Sequence, residues 1–247
     1  MILTPPPPLT AYDHLGPQLA SAGFAVLEAA AVAQLAGVTV ETLQRWAPLW
    51  HELPADEYLR DGGRYRRRRH SCFIIDEAQV QQVPHRAHWQ PLDYNALHGG
   101  IERWFAPLPE VLVQDPAWSR LLAGLGRVAS ELRLAQPWYA EAHQFRIDTT
   151  DGIGRPTPEG AHRDGVDLVA VMLVARSNVK GGETRVFDIR GPQGLRFTLA
   201  EPWSALLLDD ERVIHESTPI QPAEALRPAF RDTLVITLRR GGFQRPV

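Results

Sequence analysis

His162 and Asp164, two positions apart, and His215 far downstream are the side chains of this sequence best suited to grip a metal ion together. Extended backbone points alternate side chains to opposite faces, so with residues 162–164 extended His162 and Asp164 project together while Arg163 points away. One strand then supplies two ligands, and a second strand carrying His215 completes a set of two imidazoles and one carboxylate. Such a set covers one face of an octahedral ion and leaves the other positions open, which suits ferrous iron; a thiolate set would favour zinc.

A lone His-x-Asp is common in surface turns, so its surroundings carry the weight. Apolar strands are predicted at residues 168–175 and 204–208, with a Gly181-Gly182-Glu183-Thr184 turn between them. After His215 comes another strand pattern, residues 230–238, bearing Arg231 at its start. Residues 138–147 alternate as a strand, with His143, Phe145 and Ile147 on one face and Gln144, Arg146 and Asp148 on the other. The glycines and prolines of residues 151–158 predict a loop at the site entrance. Antiparallel strands with short turns point to an α+β chain, a double-stranded β-helix (a cupin-like jelly roll) with helices from the N-terminal half packed on one side. The reading is one domain over residues 1–247, with 1–137 as helical and mixed support and 138–240 as the catalytic strands.

In that N-terminal half, Pro5 to Pro8 predict an extended lead-in. A helix over residues 10–22 ends at Gly23, a strand covers 24–27, and an alanine-rich helix over 28–36 is closed by Gly37. Thr39 caps a helix expected to run to about residue 52. A short helix is expected at 95–104. Asp115 followed by Pro116 opens the long helix, whose Trp118, Leu121, Leu122, Leu125, Val128 and Leu132 recur at helical spacing, as a buttress against the sheet requires.

The block His143-Gln144-Phe145-Arg146-Ile147, the segment from Pro158 to Asp167, the Gly-Gly-Glu-Thr turn, the Asp-rich turn before His215 and the pair Arg231-Asp232 together resemble the 2OG-Fe dioxygenase family. These are bacterial 2-oxoglutarate-dependent oxygenases that include free L-isoleucine hydroxylases and homologues of a biofilm- and stress-associated protein. The resemblance covers residues 138–238 most closely. It implies Fe(II) on His162, Asp164 and His215, with 2-oxoglutarate as cosubstrate and O2 as oxidant. It also implies a buried cation for the far carboxylate of 2-oxoglutarate. Arg231 fits, with Thr233 on the same face; Arg227 is the rival, but Pro228 after it suggests a turn. The Gln144 and Arg146 face is implied as pocket lining, with Gln144 on the cofactor side. Glu159 and Asp167 are candidates to hold a substrate ammonium, and Arg146 or Arg163 a substrate carboxylate. The implied activity is hydroxylation of a small polar molecule, a free L-amino acid. A jelly-roll protein that keeps the metal without turnover, as a sensor or in biofilm or stress response, is the alternative.

The run Arg64-Tyr65-Arg66-Arg67-Arg68-Arg69-His70 raises a different class, a nucleic-acid binder. Its continuation into Ser71-Cys72-Phe73-Ile74-Ile75 reads as one strand that divides the arginines between two faces. A net charge of −3 gives no global attraction to nucleic acid or anionic membrane. One of these arginines reaches a pocket mouth to bind a substrate carboxylate, or the run is a solvated edge strand. His85 and His88 are read as surface or rim histidines. The single cysteine, Cys72, the absence of a signal-peptide pattern and the absence of a long apolar run point to a cytoplasmic protein with no membrane partner. Oligomeric state leaves no trace in the sequence.

Overall fold

In the computed structural model, residues 5–246 are described. The helices are α1 (Leu15–Ala22), α2 (Ala29–Ala36), α3 (Val40–Gln44), α4 (Glu110–Val113) and α5 (Pro116–Arg133). The strands are β1 (Phe24–Leu27), β2 (Arg66–Asp76), β3 (Gln79–Gln82), β4 (Trp138–Asp148), β5 (Leu168–Ser177), β6 (Val179–Gly181), β7 (Thr184–Asp188), β8 (Gly194–Phe197), β9 (Ala205–Asp209), β10 (Val213–Ser217), β11 (Ile220–Pro222) and β12 (Phe230–Arg239). No helix among the described residues is long and apolar enough to cross a membrane.

Seven strands form the main sheet in the order β1-β9-β5-β12-β4-β2-β3, and β10-β7-β8 form a smaller sheet. Every pairing between these strands is antiparallel, which fits the α+β jelly-roll class. One face of the main sheet packs on the helices through a core that includes Trp46, Trp50, Trp118 and Trp203. Trp46 stacks edge-on against both Trp118 and Trp203, and Trp50 Nε1 donates to the Thr233 carbonyl at 3.1 Å. The other face, at the β1-β9-β5 end, meets the smaller sheet across Val169, Leu206, Leu208, Val186, Phe197 and Val213.

The helix α5 is where the sequence places it: Asp115 caps it through its Oδ1, which accepts from Ala117 N at 2.9 Å. Gly124 lets α5 approach α2 closely, because a Cβ there would lie 2.5 Å from the Leu35 carbonyl oxygen. Two helical expectations differ. The helix capped by Thr39 ends at Gln44 and gives way to a 3-10 turn, Ala47–Trp50, because Pro48 lacks the amide donor that a continuing helix needs. Residues 95–104 form turns and a bridge from Arg103 to His88, where Gly99 and Gly100 break any helical run.

The arginine strand is β2, and its free edge is covered by irregular segments. Arg68 N donates to the Pro54 carbonyl, Asp56 N to the Arg66 carbonyl and His70 N to the Ala106 carbonyl. It is therefore not a solvated edge strand. Arg66 and Arg68 point inward and are buried, while Arg67 and Arg69 point outward.

Candidate metal centre and its cavity

His162 and His215 exchange both backbone hydrogen bonds, each N donating to the other's carbonyl at 3.0 Å. This bridge ties the 158–165 segment to β10 and sets the two rings 4.6 Å apart. The segment is extended at His162, a single bridge and not a full strand. Asp164 lies between the rings: its Oδ1 is 3.8 Å from His162 Nε2 and its Oδ2 is 3.8 Å from His215 Nε2. Among the described residues, these three form one of two groups whose ligand atoms all lie within 4.8 Å of one another.

Neighbouring groups set the direction of each ligand. His162 Nδ1 lies 3.0 Å from the Gly160 carbonyl, which can only accept, so Nδ1 carries the proton and Nε2 presents a lone pair. Burial works against a charge on His162, but Asp164 and Glu159 outweigh it and raise its pKa. His215 is buried, and burial with the nearby His162 pushes its pKa well below the ordinary value, leaving a neutral imidazole. Asp210 fixes the turn by accepting from the backbone N of Asp164, Gly165 and Val166 at 3.0, 2.7 and 3.1 Å. Burial, then the charge of Asp164, raises the Asp210 pKa to about 7.

A cavity of about 140 Å³ opens on this triad. Its walls include the inward face of β12, carrying Arg231, Thr233, Val235 and Thr237, and the inward face of β4, carrying Glu141, His143, Phe145 and Ile147. Arg231 is only 4% exposed, its side chain makes no hydrogen bond to a described residue, and its Nε is buried and unpartnered. Burial lowers its pKa to about 10, so the guanidinium remains charged at neutral pH. A buried, charged, unpaired arginine is costly in an isolated protein, and the cost is explained if an anion occupies the cavity beside it.

A scan against family models matches residues 47–237 to the 2OG-Fe dioxygenase model. The chain belongs to the 2OG-Fe dioxygenase family. Its fold is that of the crystal structure of a bsmA homologue from Methylobium petroleophilum PM1, at 52% identity over 100% of both chains with a TM-score of 0.92. IDO from Bacillus thuringiensis shares the fold at 19% identity and a TM-score of 0.74, covering 98% of this chain and 99% of the other. So does the Fe(II)/α-ketoglutarate-dependent dioxygenase TqaL, at 20% identity and a TM-score of 0.71, covering 93% and 87%. A search of curated proteins gave no match.

A 2OG-Fe dioxygenase is an oxidoreductase that uses Fe(II), 2-oxoglutarate and O2. The residues present fit those groups. Two imidazoles and a carboxylate are a donor set that suits ferrous iron, and the buried Arg231 guanidinium, with no side-chain hydrogen bond to a described residue, has the chemistry to pair with a carboxylate.

The remaining sequence candidates divide. Glu159 lines the cavity, its Oε1 3.5 Å from His162 Nε2 and its Oε2 buried and unpartnered, and Thr233 lines it beside Arg231. Gln144 and Arg146 do not line it. They sit on the opposite face of β4, where Arg146 makes a two-pronged ion pair with Asp232 at 2.8 and 2.7 Å. That face packs against the helices, and Ala140 and Ala142 on it are the small side chains that such packing selects. Arg163 points away toward the Tyr94 ring, 5.7 Å off. Asp167 accepts from Arg240 N at 2.8 Å and faces Arg133 and Arg240, a structural ion cluster outside the cavity.

The expectation that an arginine of the 64–70 run reaches the pocket holds for Arg66 and Arg68, which line the cavity, but the sequence reading missed the rest of this polar wall: His88, Gln90, Arg103, Glu141 and His143. The period-two pattern of β4 held the signal, since its cavity face carries Glu141 and His143 where the other carries Ala140 and Ala142. His88, read as a rim residue, is buried and its Nδ1 lies 2.7 Å from Glu141 Oε2, the oxygen that His70 Nε2 also meets at 2.8 Å. Burial lowers the pKa of His88 to about 3 and also lowers those of His70 and His143, so all three rings are neutral. Burial opposes the charge on Glu141, yet His88 and the His70 hydrogen bond hold its carboxyl below the usual range.

Proposed function

We propose that this 2OG-Fe dioxygenase hydroxylates a free L-amino acid, with residues 1–247 acting as one catalytic unit in the cytoplasm. The observation that carries the substrate class is the make-up of the cavity wall: guanidiniums from Arg66, Arg68 and Arg103 and carboxylates from Glu141 and Glu159 surround the space beside the triad. A small zwitterion is the ligand whose two charges such a wall would complement. The core that joins helices of the N-terminal half to strands of the C-terminal half supports the single unit, and the lone buried thiol Cys72 supports a reducing compartment.

In this reading His162, Asp164 and His215 hold the iron, while Arg231 and the Thr233 hydroxyl take the far carboxylate of 2-oxoglutarate. Bound iron would supply the oxidising chemistry, in which O2 gives one oxygen atom to an unactivated C–H carbon as hydroxyl and the other to succinate, formed as 2-oxoglutarate loses CO2. The protein's part is to place that bond and keep water out. Phe145, Val171 and Val235 supply the apolar surface, and Glu159 stands next to the metal ligands, where it can orient an ammonium.

The test is succinate formation with Fe(II), 2-oxoglutarate and a panel of L-amino acids, paired with mass spectrometry of the amino acid. A member of the panel that raises succinate above the substrate-free rate and gains one oxygen atom supports the reading. Equal rates with and without every amino acid would end it.

A further inference from the structure

The cavity holds more buried positive charge than 2-oxoglutarate accounts for. Arg66, Arg68 and Arg103 are 7%, 3% and 1% exposed, and all three line it. One carboxylate, Asp56, serves two of them, at 2.7 Å from Arg66 Nε and 3.8 Å from Arg68 Nη1. Arg103 has no carboxylate within ion-pair distance among the described residues and donates Nη2 to Gln90 Oε1 at 3.0 Å. Arg66 Nη2, Arg68 Nε and Arg103 Nε are buried with no hydrogen-bond partner among those residues. Native interiors rarely leave such donors unmet by a ligand or an ordered water, and three guanidiniums around one cavity favour an anion there.

The geometry is also rigid. The Arg68 guanidinium lies over two aromatic rings, 3.9 Å from the Phe105 centroid and 4.4 Å from that of Phe145, and its Nη2 donates to His143 Nδ1 at 2.8 Å. These contacts fix the planar fork before any ligand arrives.

The neighbouring group His70, His88, Glu141 and His143 has the composition of a second metal site. Its arrangement argues otherwise. The His70 and His143 rings stack nearly parallel, 19° apart at 4.6 Å, and ligand rings converging on one ion do not stack face to face. Arg68 already uses His143 Nδ1, and three guanidiniums nearby oppose a further cation. What the group does is hold one oxygen of Glu141 between two imidazoles.

We infer that Arg66, Arg68 and Arg103 form a subsite for a carboxylate of the oxidised substrate, separate from the one that takes 2-oxoglutarate. The inference rests on the hydroxylase reading and names the anchor of its substrate. Arg66 and Arg231 both pair in register with Ile147, from opposite sides of β4, so two strand spacings, about 10 Å, separate their backbones. The two guanidinium sites are thus distinct walls of one cavity.

The test uses the full chain, loaded with metal, saturated with 2-oxoglutarate and kept under nitrogen. Calorimetry then follows binding of L-leucine, 4-methylpentanoate and 4-methylpentanamide. The two carboxylates bind the native protein and the amide binds at least roughly tenfold more weakly, as expected when a buried charged hydrogen bond is lost. Arg103→Gln weakens carboxylate binding by a similar factor, while Asn95 still holds the Gln90 amide, so affinity for 2-oxoglutarate, titrated in the same preparation, stays within about twofold and reports an intact fold. Arg103→Lys, which keeps the charge but loses the fork, falls between the two. Amide binding as tight as acid binding, no carboxylate binding, or an Arg103→Gln effect confined to 2-oxoglutarate overturns the subsite. If carboxylates bind as described but no amino acid stimulates succinate, the amino-acid reading fails and the subsite stands.

Discussion

Gln90 Nε2 donates to Asp164 Oδ1 at 3.2 Å, while Gln90 Oε1 accepts from Arg103 Nη2 and from Asn95 Nδ2, both at 3.0 Å. Two donors on the oxygen fix the orientation of the amide, and the amide in turn fixes the carboxylate of the triad. Partners of this kind tune metal affinity about 10- to 100-fold. Gln90→Leu should therefore weaken Fe(II) binding by about that factor with the fold unchanged, measured by metal titration alongside circular dichroism. Unaltered affinity would mean that Asp164 is held by the backbone of its turn alone.

Two arginines of adjacent strands should respond in opposite ways. Arg231 is buried without a partner, so Arg231→Met should leave thermal stability equal or higher while abolishing 2-oxoglutarate binding at ordinary concentrations. Arg146 is paired with a nearly buried Asp232, their side chains 14% and 2% exposed, so Arg146→Ala strands a carboxylate and should cost about 3 kcal/mol with 2-oxoglutarate affinity kept. Melting curves and ligand titrations on both variants decide this. A destabilised Arg231→Met would make Arg231 a structural residue.

The metal-free protein should lose stability as pH falls below about 6.5, the ordinary histidine value. His70, His88, His143 and His215 have pKa values lowered by burial, His88 to about 3, so the unfolded chain binds protons there that the native chain refuses. Each such site costs up to about 1.4 kcal/mol per pH unit within its window. His162 and Asp210, with raised pKa values, work the other way, their contribution being present at low pH and lost as pH rises; Asp232, also raised, joins them nearer the carboxylate range. His98, its pKa also lowered by burial, makes a fifth, and five lowered histidines against two raised groups leave a net loss between about pH 6 and 4. Urea denaturation at several pH values measures it, and stability that is flat or rising toward pH 4 would contradict the burial of neutral imidazoles.

Gly124→Ala in α5 sets helix propensity against packing. Propensity favours alanine by about 1 kcal/mol. The added methyl would meet the Leu35 carbonyl at 2.5 Å, a backbone atom that cannot turn aside, and overpacking costs about 1–3 kcal/mol. A lower melting temperature is expected; a higher one would show that α2 can shift outward freely.

The sequence revealed most where its period was strong or its chemistry rare. Asp115 and Pro116 announced α5, and the His-x-Asp spacing with a distant His215 marked three residues that the fold brings together. Arg231 stood out because it lies at the start of the strand that follows His215, with Thr233 on the same face. What stayed hidden depends on which face of a strand is inside. Gln144 and Arg146 share an alternation with Ala140 and Ala142, and the alanines mark the face that meets helices, a cue weaker than two polar side chains. Arg103, Gln90 and His88 come from irregular segments between β3 and α4, where no periodicity says which side chains turn inward. Their role follows only from the tertiary contact with Glu141 and Asp164.

The account depends on which cluster takes the metal, and two are present: His162, Asp164 and His215, or His70, His88, Glu141 and His143. Fe(II) titration of the native chain, of His215→Ala and of His88→Ala under nitrogen compares them directly. The account predicts a single equivalent bound by the native chain and by His88→Ala and none by His215→Ala; retention by His215→Ala with loss in His88→Ala would contradict it.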